Sequence, residues 1–240
     1  MKSRIGSNGI HLFDRMSGLN VLLDDLPTET ALWSIAPRQV SIALTNVCDL
    51  HCAYCYAPKH KALLRTEQVI EWLKELDVEG CLGVGFGGGE PMLHPDFVNI
   101  CRRAAQETQL AITFTTHGHR LTPQTVGRLK GSVHFARISI DGVGRTYEEQ
   151  RGKPFASLLK AMDLIATLSP FGINVVVNER TIMELDTIAE LAQEFGASEL
   201  LLLPQQETSK VAGIDGATNL ALQNWVSKYN GTVRLAVGSE

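Results

Sequence analysis

No cysteine follows position 101 in the 240 residues, no apolar run is long, and basic residues do not outnumber acidic ones. The first absence excludes a thiolate-ligated centre in the second half of the chain. The second excludes a membrane-spanning helix, which needs about 20 apolar residues. The opening stretch MKSRIGSNGIHLFDR also lacks the apolar core of a signal peptide. With Lys+Arg 22 and Asp+Glu 26 the net charge is -4, which gives no electrostatic drive toward nucleic acid or an anionic membrane. A soluble, cytoplasmic protein is expected, with partners other than nucleic acid or membrane.

What is present is ordinary for a globular chain: 44% hydrophobic and 20% charged residues, 21 Gly and 9 Pro. The length suits one large domain or two small ones, with a core large enough to need no disulfide or metal staple. Two alternating segments, Ile10–Phe13 and Leu19–Leu23, flank Met16-Ser17-Gly18 and predict a β-hairpin. Residues 1–38 therefore read as an N-terminal extension and 39–240 as the core domain.

From Val40 onward strands and helices alternate. Val40–Leu44, Cys81–Phe86, Ala111–Thr116, Val133–Asp141, Ile173–Asn178, Leu200–Leu203 and Thr232–Val237 are the expected strands. Helices between them show faces such as Val69, Ile70, Leu73, Leu76 and Phe97, Ile100, Cys101, Ala104, Ala105. This alternation predicts a parallel sheet with helices outside. About six units are too few for an eight-fold barrel, so a partial barrel or open α/β sheet is expected.

Of the five cysteines, Cys48, Cys52 and Cys55 crowd into eight positions with C-x3-C-x2-C spacing, directly after a predicted strand. Three thiolates on one loop can hold three corners of a [4Fe–4S] cube and leave the fourth iron open. They can also form a zinc site completed by His51 or His60. Both remain open on spacing alone. Cys101 lies on an apolar helix face and Cys81 opens a strand at the far end from the cysteine loop, so both read as small hydrophobes.

With Tyr54 as the aromatic in C-x3-C-x-aromatic-C, the loop resembles the radical S-adenosylmethionine (radical SAM) superfamily. Further segments resemble the family in order: Gly87-Gly88-Gly89-Glu90-Pro91 ending the second core strand, Ser139-Ile140-Asp141-Gly142 on the fourth, then Arg151-Gly152, and Asn178 ending the fifth. The resemblance implies a partial (β/α)6 barrel carrying a [4Fe–4S] cluster on Cys48, Cys52 and Cys55. It implies S-adenosylmethionine contacts by Tyr54, Gly88, Gly89 and Glu90 (methionine amine), Ser139 and Arg151 (carboxylate) and Asn178 (ribose). Relatives commonly carry Thr-Asn-Gly where this chain has Thr116-His117-Gly118. His117 is thus the candidate for acid/base work beside the substrate.

The resemblance is strongest to the branch with peptide maturases, sulfatase-maturing enzymes and the molybdenum-cofactor cyclase. It implies an oxidoreductase that cleaves S-adenosylmethionine and abstracts hydrogen from a peptide or protein, supplied by an electron donor such as flavodoxin or ferredoxin. That branch commonly has a C-terminal domain with auxiliary clusters, so this chain is expected to be a minimal form or part of a longer protein. A small metabolite as substrate, and a non-catalytic zinc scaffold, are the competing readings. The hairpin of residues 10–23 is expected to offer an edge for an extended peptide.

Overall fold

The computed structural model describes residues 1–24 and 26–238. Its core is a seven-stranded parallel sheet formed by β4 (Gln39–Thr45), β5 (Gly83–Gly88), β6 (Ala111–Thr116), β7 (Phe135–Ser139), β8 (Phe171–Val177), β9 (Glu199–Pro204) and β10 (Arg234–Val237). The spatial order equals the chain order. Every crossover therefore steps to the next neighbour in one direction, and right-handed crossovers then put all helices on one face. The crossover helices are α1 (Thr66–Val78), α2 (Phe97–Glu107), α3 (Pro123–Leu129), α4 (Arg145–Arg151), α5 (Phe155–Ala166), α6 (Leu185–Glu194) and α7 (Gly216–Lys228).

The strand period of two divides the sheet chemically. Val84, Ile112, Ala136, Ile138, Ile173, Val175, Leu200 and Leu202 point to the helices and are fully buried. Burial of each Val, Ile or Leu side chain contributes about 1.5–3 kcal/mol. The alternate residues, including Ser41, Gly85, Gly87, Thr113, Thr115, Arg137 and Asn174, line a cavity of about 490 Å³ on the inner face. The expected partial (β/α)6 barrel is therefore the observed fold, with β10 as a seventh strand.

Helix ends follow local chemistry. Pro123 occupies the first turn of α3 while the Thr122 hydroxyl accepts from Thr125 N–H. Asp215 caps α7 through Thr218 N–H. Gly80, at φ +89°, ends the turn after α1, and a side chain there would strike Ser34.

The N-terminal segment forms a three-stranded antiparallel sheet of β1 (Lys2–Gly6), β2 (Gly9–Phe13) and β3 (Asn20–Leu23), in that order. The expected hairpin is β2–β3. β1 has no apolar alternation to mark it as a strand; its pairing with β2 and its cations hold it in place. Lys2 Nζ donates to Asp77 O at 2.8 Å and Arg4 Nη1 to Gly80 O at 3.0 Å. After β2, Arg15 donates to Ala105 O, Thr108 O and Leu110 O at 2.8–3.1 Å. Cations thus satisfy the orphan carbonyls at the C-terminal ends of α1 and α2. No helix among the described residues is long and apolar enough to cross a membrane.

Candidate functional site

All the singled-out segments leave the carboxyl ends of strands, where parallel α/β folds assemble sites. The cysteine loop follows β4, Gly88–Glu90 end β5, His117 follows β6, Asp141 follows β7, and Asn178 follows β8. Cys52 is buried, while Cys48 and Cys55 are half-buried. Burial pushes the Cys48 thiol up, although Leu50 N–H donates to its sulfur at 3.4 Å.

Side chains from distant parts of the chain pin this loop at several points. Tyr54 Oη donates to Asp141 Oδ2 at 2.6 Å. The Asp141 carboxylate, fully buried, also accepts from Val176 N–H at 2.8 Å and pairs with the Arg151 guanidinium. Arg151 in turn lies 5.8 Å from the Tyr54 ring centroid, a cation–π distance. On the loop's other flank, Asp49 Oδ1 accepts from His117 Nε2 at 2.8 Å and Oδ2 from Arg120 Nε at 3.0 Å. Burial opposes ionisation of Asp49, but His117 and Arg120 outweigh it and hold the carboxyl below its ordinary value. Thr208 Oγ1 donates to Ala53 O at 3.2 Å, and Lys59 Nζ to Leu50 O.

Glu90 lies beneath this flank. Its Oε1 accepts from Thr116 Oγ1 at 2.8 Å and Met92 N–H at 3.2 Å, and its Oε2 from His117 N–H at 3.0 Å. Burial pushes the carboxyl up to about 7 despite these bonds. Gly88 and Gly89 allow the segment to dock on the β4 end. A Cβ on Gly88 would lie 2.2 Å from Thr45 O, and one on Gly89 2.2 Å from Val47 O. Gly87 differs: a Cβ there meets nothing within 4 Å, so its missing side chain leaves room in the cavity.

His117 is only 4% exposed. Its Nδ1 accepts from His119 N–H at 3.1 Å, so Nε2 carries the proton given to Asp49, and burial pushes its pKa down to about 4. Both ring nitrogens are thereby engaged by the chain itself. Ser139 pairs through its backbone with β8, and its hydroxyl makes no hydrogen bond among the described residues. Asn178 serves the following turn, accepting from Arg180 N–H and Thr181 N–H at 3.0 and 3.1 Å, while its Nδ2 donates to Gln150 and Gln205. It also lines a second cavity of about 620 Å³ with Tyr54, Gln150 and Gln205. Cys81 and Cys101 are buried away from the loop.

Three functional features escaped sequence reasoning. Asp49, inside the cysteine spacing, carries no local signal for its pairing with His117. Asp141 stood in a noted motif, but its role as a hub needed its partners. Gln150 precedes Arg151 on α4, a helix whose seven residues lack an apolar stripe long enough to read.

Among the described residues, the three cysteine sulfurs are not drawn together within 4.8 Å; the one such group is Cys48, Asp49 and His117. Two buried donors, Arg151 Nε and Gln150 Nε2, lack partners, although such groups are normally bonded.

Residues 42–195 match the family described as Radical SAM superfamily. The chain is 31% identical over 171 residues to the AdoMet-dependent heme synthase of Methanosarcina barkeri, covering 68% of this chain and 49% of that protein. It is equally 31% identical over 171 residues to mycofactocin maturase MftC of Mycobacterium tuberculosis, covering 68% and 44%. The chain thus spans about half the length of the curated relatives it matches. Streptococcus suis SuiB bound to precursor peptide SuiA superposes with a TM-score of 0.79 at 15% identity, over 99% of this chain and 71% of that one. At that identity the likeness concerns the fold alone.

Proposed function

The chain belongs to the radical SAM superfamily, and from that membership we propose that it binds a [4Fe–4S] cluster and S-adenosylmethionine to modify a peptide or protein. The observation that carries this reading is the convergence of the cysteine loop, the Gly-Gly-Glu segment and the Asp141–Arg151 pair at one end of the barrel. The unpartnered Arg151 Nε and Gln150 Nε2 and the room left by Gly87 fit the two groups. Bound there, the reduced cluster would supply one electron for cleavage of the sulfonium, and S-adenosylmethionine would supply the group that takes a hydrogen atom from the substrate.

The chain's own residues do the rest. Cys48, Cys52 and Cys55 hold the cluster. Arg151 and Ser139 hold the methionine carboxylate, and the charge on Arg151 stays available because Asp141 occupies only part of its fork. Gly88 and Gly89 bring backbone close to the amine, with the Glu90 carboxylate behind them. Tyr54 and Asn178 border the nucleoside. His117 acts here as a positioning residue: it ties Asp49 of the cysteine loop to the end of β6, with both ring nitrogens engaged by the chain.

A peptide substrate is favoured because similar proteins include a PqqA peptide cyclase, a mycofactocin maturase and a sporulation killing factor maturation protein. SuiB, which shares the fold, was solved with its precursor peptide. The β3 edge is the natural place for strand addition by such a peptide. A flavodoxin- or ferredoxin-like donor would supply the electron. The equal identity to a heme synthase supports the small-molecule reading as the second candidate.

The test is anaerobic reconstitution with metal analysis. About four iron per chain are expected, lost when Cys48, Cys52 and Cys55 become Ala and kept in Cys81→Ala and Cys101→Ala. Bound zinc without iron uptake overturns the reading. Arg151→Met should weaken S-adenosylmethionine about 30-fold, the equivalent of about 2 kcal/mol, with iron content intact. Dithionite-driven 5′-deoxyadenosine formation, stimulated by a short peptide rather than by small metabolites, decides between the substrate classes.

A further inference from the structure

We propose that the notch between the N-terminal sheet and the base of the barrel is a binding site for a small oxyanion, a carboxylate or phosphate group, gripped by Arg4 and Arg38 beside the His11 ring. The cavity has a volume of about 180 Å³ and is walled by these residues, Ser34 and the β1–β2 turn. That suits a single oxyanion rather than a whole cofactor. Arg38 enters β4 from its amino end, whereas the cysteine loop leaves its carboxyl end. Seven residues at about 3.3 Å each put the two sites roughly 20 Å apart along the strand. The site is therefore separate from the one above, and the proposal does not rest on the radical reading.

Three observations support it. First, two guanidiniums share the notch without a counter-ion. Arg4 donates only to neutral carbonyls, Gly80 O at 3.0 Å and Ser34 O at 3.4 Å. Among the described residues, no carboxylate pairs with Arg4 or Arg38, and the Arg38 side chain makes no hydrogen bond. Second, burial and the nearby Arg38 charge pull the Arg4 pKa down, the mark of like charges held close in a partly desolvated place. Third, His11 is just 8% exposed, and its Nδ1 is sealed from solvent without a partner. The Asn20 Oδ1 acceptor takes the Nε2 proton. The His11 ring thus forms part of the notch wall, with one ring nitrogen engaged by Asn20.

The ligand's role follows from the walls. An anion there would link β1, the turn after α1 at Gly80 and the entry to β4, fastening the N-terminal sheet to the barrel. Its source is free phosphate or the acidic side chain of a bound peptide, and the two are separable. Calorimetric titration and thermal unfolding of the full chain would use inorganic phosphate in one arm and N-acetylglutamate in the other, with ionic strength held by chloride. Saturable binding and a rising unfolding temperature are expected in at least one arm. Arg38→Gln, which alters an exposed side chain with no hydrogen bond among the described residues and leaves the carbonyl that accepts from Leu82 N–H in place, should weaken binding at least tenfold while folding normally. Arg4→Gln should do the same with some loss of stability. Phosphate alone saturating identifies a phosphate group, and N-acetylglutamate alone an acidic side chain. No saturable effect beyond chloride in either arm, or unchanged binding in Arg38→Gln, overturns the proposal.

Discussion

Replacing Asp141 by Asn keeps the shape of the side chain and removes its charge. The carboxylate is fully buried and serves three donors: Tyr54 Oη at 2.6 Å, Val176 N–H at 2.8 Å and the Arg151 guanidinium. In the variant one oxygen can still accept from Val176, but the amide turns N–H groups toward Tyr54 and Arg151. The Arg151 side chain is only 11% exposed, so its charge is left in a poorly solvated place. Breaking a buried pair in this way costs about 3–5 kcal/mol. Tyr54→Phe removes a single hydrogen bond to a charged acceptor and should cost about 1.5–3 kcal/mol. For a chain of this size each kcal/mol moves the unfolding midpoint by about 2–4 °C, so Asp141→Asn should lower it by about 6–20 °C. Urea unfolding of the apo chain gives the free energies without cofactor linkage. Combining Asp141→Asn with Arg151→Met removes the stranded charge and should recover part of the loss. An Asp141→Asn cost below about 1 kcal/mol, or one smaller than that of Tyr54→Phe, would refute the buried-pair reasoning.

Arg15→Ala should lower stability by about 1–3 kcal/mol, because three carbonyls at the end of α2 and the loop after it lose their shared donor; a denaturant midpoint equal to wild type would show that water replaces it freely. Stability should also fall as pH drops from about 6.5 to about 4, in part through His134. Burial and the nearby Arg15 charge push its pKa down to about 4, and its Nδ1 accepts from Ile112 N–H at 3.0 Å. Below 6.5 the unfolded chain takes up the proton that the folded chain refuses, so stability is complete above the unfolded value and lost toward the folded one. His134→Asn, which keeps an acceptor, should flatten this part of the curve; identical pH profiles for variant and wild type would remove His134 from the account.

The architecture was legible because it rests on local periodicity. Strands such as Ile173–Asn178 and helix faces such as Phe97–Ile100–Cys101–Ala104 announce themselves within a few residues, and their alternation prescribes a parallel sheet. The order of the cysteine loop, the Gly-Gly-Glu segment and the Ser-x-Asp-Gly strand was equally plain. β1 and α4 were not, since a polar five-residue strand and a seven-residue helix carry too little pattern; pairing with β2 and packing after β7 create them.

The sequence by itself determined which residues stand at the carboxyl ends of the strands, because turns and strand ends are set by neighbours in the chain. Only the tertiary structure decided which of them meet. Tyr54 and Asp141 are 87 positions apart, and Asp49 and His117 are 68 apart. No local spacing encodes such pairs; they follow from sheet order, which brings the loops after β4, β6 and β7 over one barrel end. The same closure gives His117 an anchoring place and brings Gln150 and Gln205 to the Asn178 amide nitrogen. In a buried site an open hydrogen-bonding group is costly, so the nearest partner in space takes it, wherever that partner lies in the chain.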